Sequence, residues 1–226
     1  MLLFLAVLAS TQARAADVPF DETVRSYFRL SAVCWGTNPS KIPDRRTVER
    51  EIRAIGEAAD RFFPECPGEA RRYLFVLMVS ESEGNLGKAK PDPKRESLGV
   101  MGVKLREARI AGDVYDLPYG NRDDKWFRSC LIWQARAAIL YGSAVLRMTY
   151  TKAGHDWTRA ILNYKYGEFG LRDRVGRLDG EPIESLGVWR RFDRRLRLVG
   201  CIEEVMVERK SDCQECSRRH AEEDEK

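Results

Sequence analysis

From Asp44 onward, apolar and polar positions alternate with helical periods. Val48, Ile52, Ile55, Ala58 and Phe62 recur at three- and four-residue steps, which predicts an amphipathic helix capped by Asp44 and stopped by Pro64 and Pro67. The next apolar run, Tyr73 to Val79, carries Tyr73, Val76, Leu77 and Val79 as its buried part, with Gly84 as a stop. Its length also suits a buried strand, but the Glu/Ala/Arg-rich lead-in favours helix. A short helix is expected from about Glu22 to Val33 and a brief one over residues 103–110. A long one follows from about Lys125 to Thr149, with Leu131, Ala135, Ala138, Ile139, Gly142, Val145 and Leu146 as its stripe. Asp156 caps a further helix that ends at Gly167, and a last helix runs from about Val188 to Glu208. Residues 85–96 are expected as loop, with Lys88, Lys90, Lys94 and Arg95 on a basic rim. The pattern predicts a mostly α chain, a single helical domain with room for one small hairpin between residues 97 and 119.

Composition refines this picture in two ways. Of 226 residues, 33% are charged and 43% apolar, a globular balance with enough chain for a good core. The net charge of +4 is compatible with an anionic polymer as partner and does not require nucleic acid.

The first sixteen residues stand apart. An apolar run from Leu2 to Leu8 is followed by Ala13-Arg14-Ala15, the form of a secretory signal cut near Ala15 or Ala16. The run is far shorter than the roughly 20 residues a membrane span needs. Six cysteines follow, Cys34, Cys66, Cys130, Cys201, Cys213 and Cys216, and an even count in an exported chain suggests disulfides. Cys213-x-x-Cys216 with His220 is half of a zinc pattern, with no clear second half.

Candidate chemistry narrows by what the residues lack. There is no GxGxxG, no GxxxxGK[ST] and no HExxH, and only two histidines, His155 and His220. Neither a metal nor a cofactor is expected. Acid/base work by a carboxylate remains, and Glu81 suits it. It follows a long apolar segment, and desolvation keeps a proton on a carboxylic acid near neutral pH. Glu83, two residues on, does not share its helix face.

Four segments then resemble, in order, the lytic transglycosylases of the lysozyme-like superfamily. They are Glu81-Ser82 after an apolar helix, Gly99-Val100-Met101-Gly102-Val103, Ala138-Ile139-Leu140-Tyr141-Gly142, and Ala160-Ile161-Leu162-Asn163-Tyr164-Lys165-Tyr166-Gly167. The chain departs from the family at Gly102, where the family has glutamine, and at Ala138 and Lys165, where it has asparagine. The chain is thus expected to divide into a signal peptide at 1–16, an N-terminal helical part at 17–68, a core with a closing helix at 69–209, which the resemblance implies is lysozyme-like, and a polar tail at 210–226.

The resemblance also implies cleavage of the bond between N-acetylmuramic acid and N-acetylglucosamine in peptidoglycan, without hydrolysis, in the periplasm or outside the cell. Glu81 would act as acid on the glycosidic oxygen and then as base on the muramoyl 6-hydroxyl, closing a 1,6-anhydro ring. Tyr164 would orient Glu81 or the substrate's acetamido group. Ser82, Gly99, Val100, Met101 and Tyr166 would meet substrate. Each has a plainer reading: Tyr164 and Met101 as core, Gly99 and Gly102 as turn formers, Tyr166 and Trp189 as packing. The expected partners are peptidoglycan strands and, beyond them, envelope machinery. The three departures motivate an alternative, a glycan-binding or envelope assembly module without turnover. A purely structural envelope protein with no glycan role is a third reading.

Overall fold

The computed structural model describes residues 20–34, 43–82, 97–178 and 180–207. The expected signal at 1–16, the loop at 85–96, the tail at 210–226 and the Cys213-x-x-Cys216 pattern lie outside them. Among the described residues there are eight helices and one two-stranded sheet. No single described helix is long and apolar enough to cross a membrane.

The chain divides into two compact units. The smaller contains helix α1 (Phe20–Cys34) and the end of the last helix from Arg195. Val24, Tyr27 and Phe28 on α1 are buried, as are Leu198, Val199, Cys201 and Ile202 on the last helix. Cys201 is disulfide-bonded. Cys66 and Cys130 are free thiols, so the disulfides that the even count suggested do not include these two. A core that closes around Cys130, only 4% exposed, does not need a bridge there.

The larger unit, Pro43–Arg194, holds the candidate site. Helix α2 (Arg45–Phe62) starts where expected: Asp44 Oδ1 accepts from the backbone N–H groups of Arg46 and Thr47 at 3.0 and 3.1 Å. Helix α3 (Pro67–Ser82) begins with proline, whose missing N–H costs nothing at that position. Leu74 to Val79 are buried on every side, which marks a central helix and decides against the strand. α2 packs on α3, so the boundary expected near residue 68 falls inside this unit.

The small hairpin is present. Strands β1 (Ser97–Leu98) and β2 (Val103–Lys104) pair antiparallel, Ser97 with Lys104 and Leu98 with Val103. Helix α4 (Leu105–Val114) follows directly.

The single long helix expected from Lys125 to Thr149 is two. α5 (Asp124–Trp133) and α6 (Ala135–Lys152) meet at 103°. Gln134, with φ −114 and ψ 99, ends one and starts the other. Its N–H donates to Cys130 O while its own carbonyl accepts from Ala138 N–H. α6 packs against α2, α4, α5 and α7, and its small residues Ala135, Ala138, Gly142, Ser143 and Ala144 are all buried.

Helix α7 (Trp157–Gly176) is capped by Asp156, which accepts from Arg159 N–H at 3.0 Å. Gly167 does not end it, as expected, but kinks it: φ 71 and ψ 164 interrupt the helix, which then resumes to Gly176. Helix α8 (Gly187–Val207) is the last element among the described residues. Trp189 stacks on Phe192 at 5.5 Å, and Tyr73 stacks on Trp157 at 4.3 Å, so Trp189 is a packing residue.

Candidate active site

α3 delivers Glu81 and Ser82 at the point where its fully buried stretch gives out. The Glu81 side chain is 16% exposed. Ser82 is buried, and its hydroxyl lies 3.2 Å from Met78 O, one turn back, and 2.9 Å from Val100 O on the hairpin turn. Its one proton is shared between two carbonyls. Ser82 thus ties α3 to the turn and does not face a ligand.

That turn is Gly99-Val100-Met101-Gly102, closed by Gly102 N–H donating to Gly99 O at 3.1 Å. Both glycines have positive φ, +66 and +60, a conformation that costs any other L-residue. Space imposes the same choice. A Cβ on Gly99 would lie 2.0 Å from the backbone oxygen of Leu131 and 2.8 Å from Ala138 Cβ, so the α5–α6 corner clasps it. A Cβ on Gly102 would lie 2.5 Å from Glu81 Oε2.

α6 and α7 hold the turn from the other side. A Cβ on Gly142 would come within 2.6 Å of Met101 Cβ and 3.1 Å of the Tyr164 hydroxyl. The absence of a side chain at 142 is what lets Met101 seat. The Tyr164 hydroxyl donates to Met101 O at 2.9 Å. Burial drives the Tyr164 pKa well above that of a free tyrosine, and the nearby carboxylates of Glu81 and Glu107 push it the same way. Tyr164 is therefore a neutral phenol whose only proton is committed to the turn. The expected orientation of Glu81 by that proton is corrected: Tyr164 positions the turn against which Glu81 rests.

Glu81 is held by another residue. Lys165 Nζ bonds Glu81 Oε1 directly, across 84 positions of sequence. Both side chains are largely shielded, 19% and 16% exposed. One residue of the expected set thus sits under a neighbour's ammonium rather than in open space.

The remaining expectations divide. Glu81, Ser82, the 99–102 turn, Gly142 and Tyr164 converge. Val100 and Met101 are fully buried, so they are corrected from substrate contacts to packing beneath the site. Gly99, also buried, fills the corner. Tyr166 does not join them. Two positions on from Tyr164 along a helix, it points to the other side, and the Arg174 guanidinium lies over its ring at 4.1 Å.

Sequence reasoning missed Glu107. It lines a cavity of about 500 Å³ between α4, α6 and α7, together with Val145, Met148, Asn163, Tyr164 and Glu168. It pairs with Lys104 at 3.6 Å. Nothing in the local pattern around Glu107 separates it from an ordinary first-turn acid of α4. Only its approach to Tyr164 does so.

No family model, curated protein or solved structure is detectably similar to this chain.

Proposed function

We propose that this protein cleaves the β-1,4 bond between N-acetylmuramic acid and N-acetylglucosamine in peptidoglycan, forming 1,6-anhydromuramoyl ends, as a divergent lytic transglycosylase on a lysozyme-like fold. It acts outside the cytoplasm, in the periplasm or as a secreted protein. One observation carries the reading. A glutamate at the end of a buried apolar helix meets a glycine turn and a buried tyrosine that are far apart in sequence. The segments that resemble the family in order are the segments that come together.

The chemistry asks for a proton at the leaving oxygen and a base at the 6-hydroxyl. The attacking hydroxyl belongs to the substrate, so no second carboxylate has to hold a water, and tethering supplies the proximity. Tyr164 and Ser82 keep the turn fixed beneath Glu81, which preserves the alignment of its carboxyl.

A second reading draws on a specific contact. The Lys165 ammonium on Glu81 neutralises the one carboxyl expected to do the work, which favours a module that binds glycan without cutting it.

Digestion of purified sacculi separates the two. The first reading expects soluble muropeptides with anhydro ends, lighter by one water than reducing ends in mass spectrometry. It also expects Glu81→Gln to release none while keeping its helical content. Pelleting with sacculi and no soluble product from the wild type supports the second.

A further inference from the structure

We infer that Lys165 is a catalytic residue, the acid that protonates the leaving glycosidic oxygen, while Glu81 serves as the base, so that the two form a proton couple. The inference rests on the peptidoglycan reading above and concerns how the same site would turn over.

The starting point is the contact itself. Glu81 and Lys165 approach from different helices, α3 and α7, and meet directly with little solvent between them and the protein wall. A carboxylate in an ion pair is an acceptor only and holds no proton to give. An ammonium has three donors, and one of them lies on Glu81 Oε1. Roles follow from that division. The group that has protons is Lys165, and the group that accepts them is Glu81.

Gly102 fits the same division. With no side chain at 102, Glu81 Oε2 packs against the turn backbone and Oε1 is directed to Lys165. Any Cβ at 102 would push the carboxyl out of that position. Gly102 and Lys165 thus accommodate one arrangement of Glu81 together, from opposite sides.

The step balances without a co-reactant. The bond from C1 of the muramoyl residue to the glycosidic oxygen breaks, its electron pair going to that oxygen, which takes a proton from Lys165 Nζ. The 6-hydroxyl oxygen forms the new bond to C1 and gives its proton to Glu81. A neutral amine and a carboxylic acid are left in contact. The proton then crosses from Glu81 to Lys165, and the ion pair is restored. No water is consumed.

Lys165→Arg tests this directly. A guanidinium keeps the charge and the ion pair but does not release a proton in proteins. The expected result is a loss of anhydro-muropeptide release from sacculi by roughly 100-fold or more, for Lys165→Arg and Lys165→Asn alike. An N-acetylmuramoyl glycoside with a nitrophenyl leaving group needs no protonation of that group. Lys165→Arg should lose far less on it than on sacculi, with its folding checked separately by circular dichroism, whereas Glu81→Gln should fail on both substrates.

Four results overturn the inference. Lys165→Arg could digest sacculi normally, which would make the charge alone sufficient. Lys165→Asn could be faster than wild type, which would make Lys165 a brake. Lys165→Arg could lose both substrates equally. A wild type inert on sacculi and on the aryl glycoside would remove the peptidoglycan reading along with the inference. The first three leave that reading standing.

Discussion

Gly102 leaves no room beside Glu81: a β-carbon at position 102 would stand 2.5 Å from Oε2. The obstructing atom is the far end of a flexible side chain, so the glutamate can yield while the backbone stays. Gly102→Ala should therefore fold, with a cost of about 1–2 kcal/mol for a side chain at positive φ. A drop of roughly 2–8 °C in Tm is expected for a chain of this size. Release of anhydro-muropeptides should fall at least about tenfold, the equivalent of ~1.4 kcal/mol, because the carboxyl is displaced. Differential scanning calorimetry and sacculus digestion together check this. An unchanged rate would show that the Glu81 position does not matter.

Two hydroxyls from two helices hold consecutive carbonyls of one turn. Ser82 on α3 takes Val100 O and Tyr164 on α7 takes Met101 O. Each removal, Ser82→Ala or Tyr164→Phe, orphans a buried carbonyl and should cost about 1–3 kcal/mol. The two bonds share a rigid four-residue turn, so the losses should not add. A coupling of roughly 0.5 kcal/mol or more is expected from a double-mutant cycle in denaturant. Strict additivity would mean that the turn is held by something else.

Glu51 should make stability depend on pH. It lies on the inner face of α2, 1% exposed, and neither carboxyl oxygen has a hydrogen-bond partner among the described residues. Burial pushes its pKa from 4.5 up to about 8, with Arg50 opposing and Asp44 reinforcing. The native state then holds a proton that the unfolded state has released. Its contribution is fully present below about pH 4.5 and declines as pH rises toward 8, by up to roughly 1.4 kcal/mol per pH unit. Glu51→Gln should flatten that slope in urea melts measured across the window. An equal slope in both proteins would place Glu51 in contact with water or a cation.

The free thiols offer a check on packing. Burial raises the pKa of both Cys66 and Cys130, but Cys66 is half-buried and Cys130 is closed off. In the native protein, without reductant, iodoacetamide should label Cys66 slowly and Cys130 only after denaturant is added. Mass spectrometry of peptides distinguishes them. Labelling of Cys130 in the native state would contradict the packing of α5.

How much of this was legible in sequence depends on distance along the chain. Asp44 and Asp156 announced their helices because capping is a local bond over three residues. The 97–104 hairpin was foreshadowed by its glycines. The corner at Gln134 was invisible. Neither Gly nor Pro marks it, and the apolar pattern runs through it. Gly167 carried a true signal that was read as a stop, because a glycine with positive φ serves a kink as readily as an end. At the site, Glu81 stood out from its place after an apolar run. Lys165 registered only as a departure from a motif. Its meaning lies in a contact 84 residues away, and no local periodicity encodes that.

The corner at Gln134 has one more consequence. Because the same residue finishes α5 and begins α6, the chain has no slack there. Inserting a single residue at 134 would turn everything downstream by about 100° about the α6 axis. Gly142 would rotate out from under Met101, and a bulkier neighbour would take its place. Position 134 should accept many replacements and no change of length, so in any lineage carrying this architecture the spacing between Leu131 and Gly142 should drift far less than the residues that fill it.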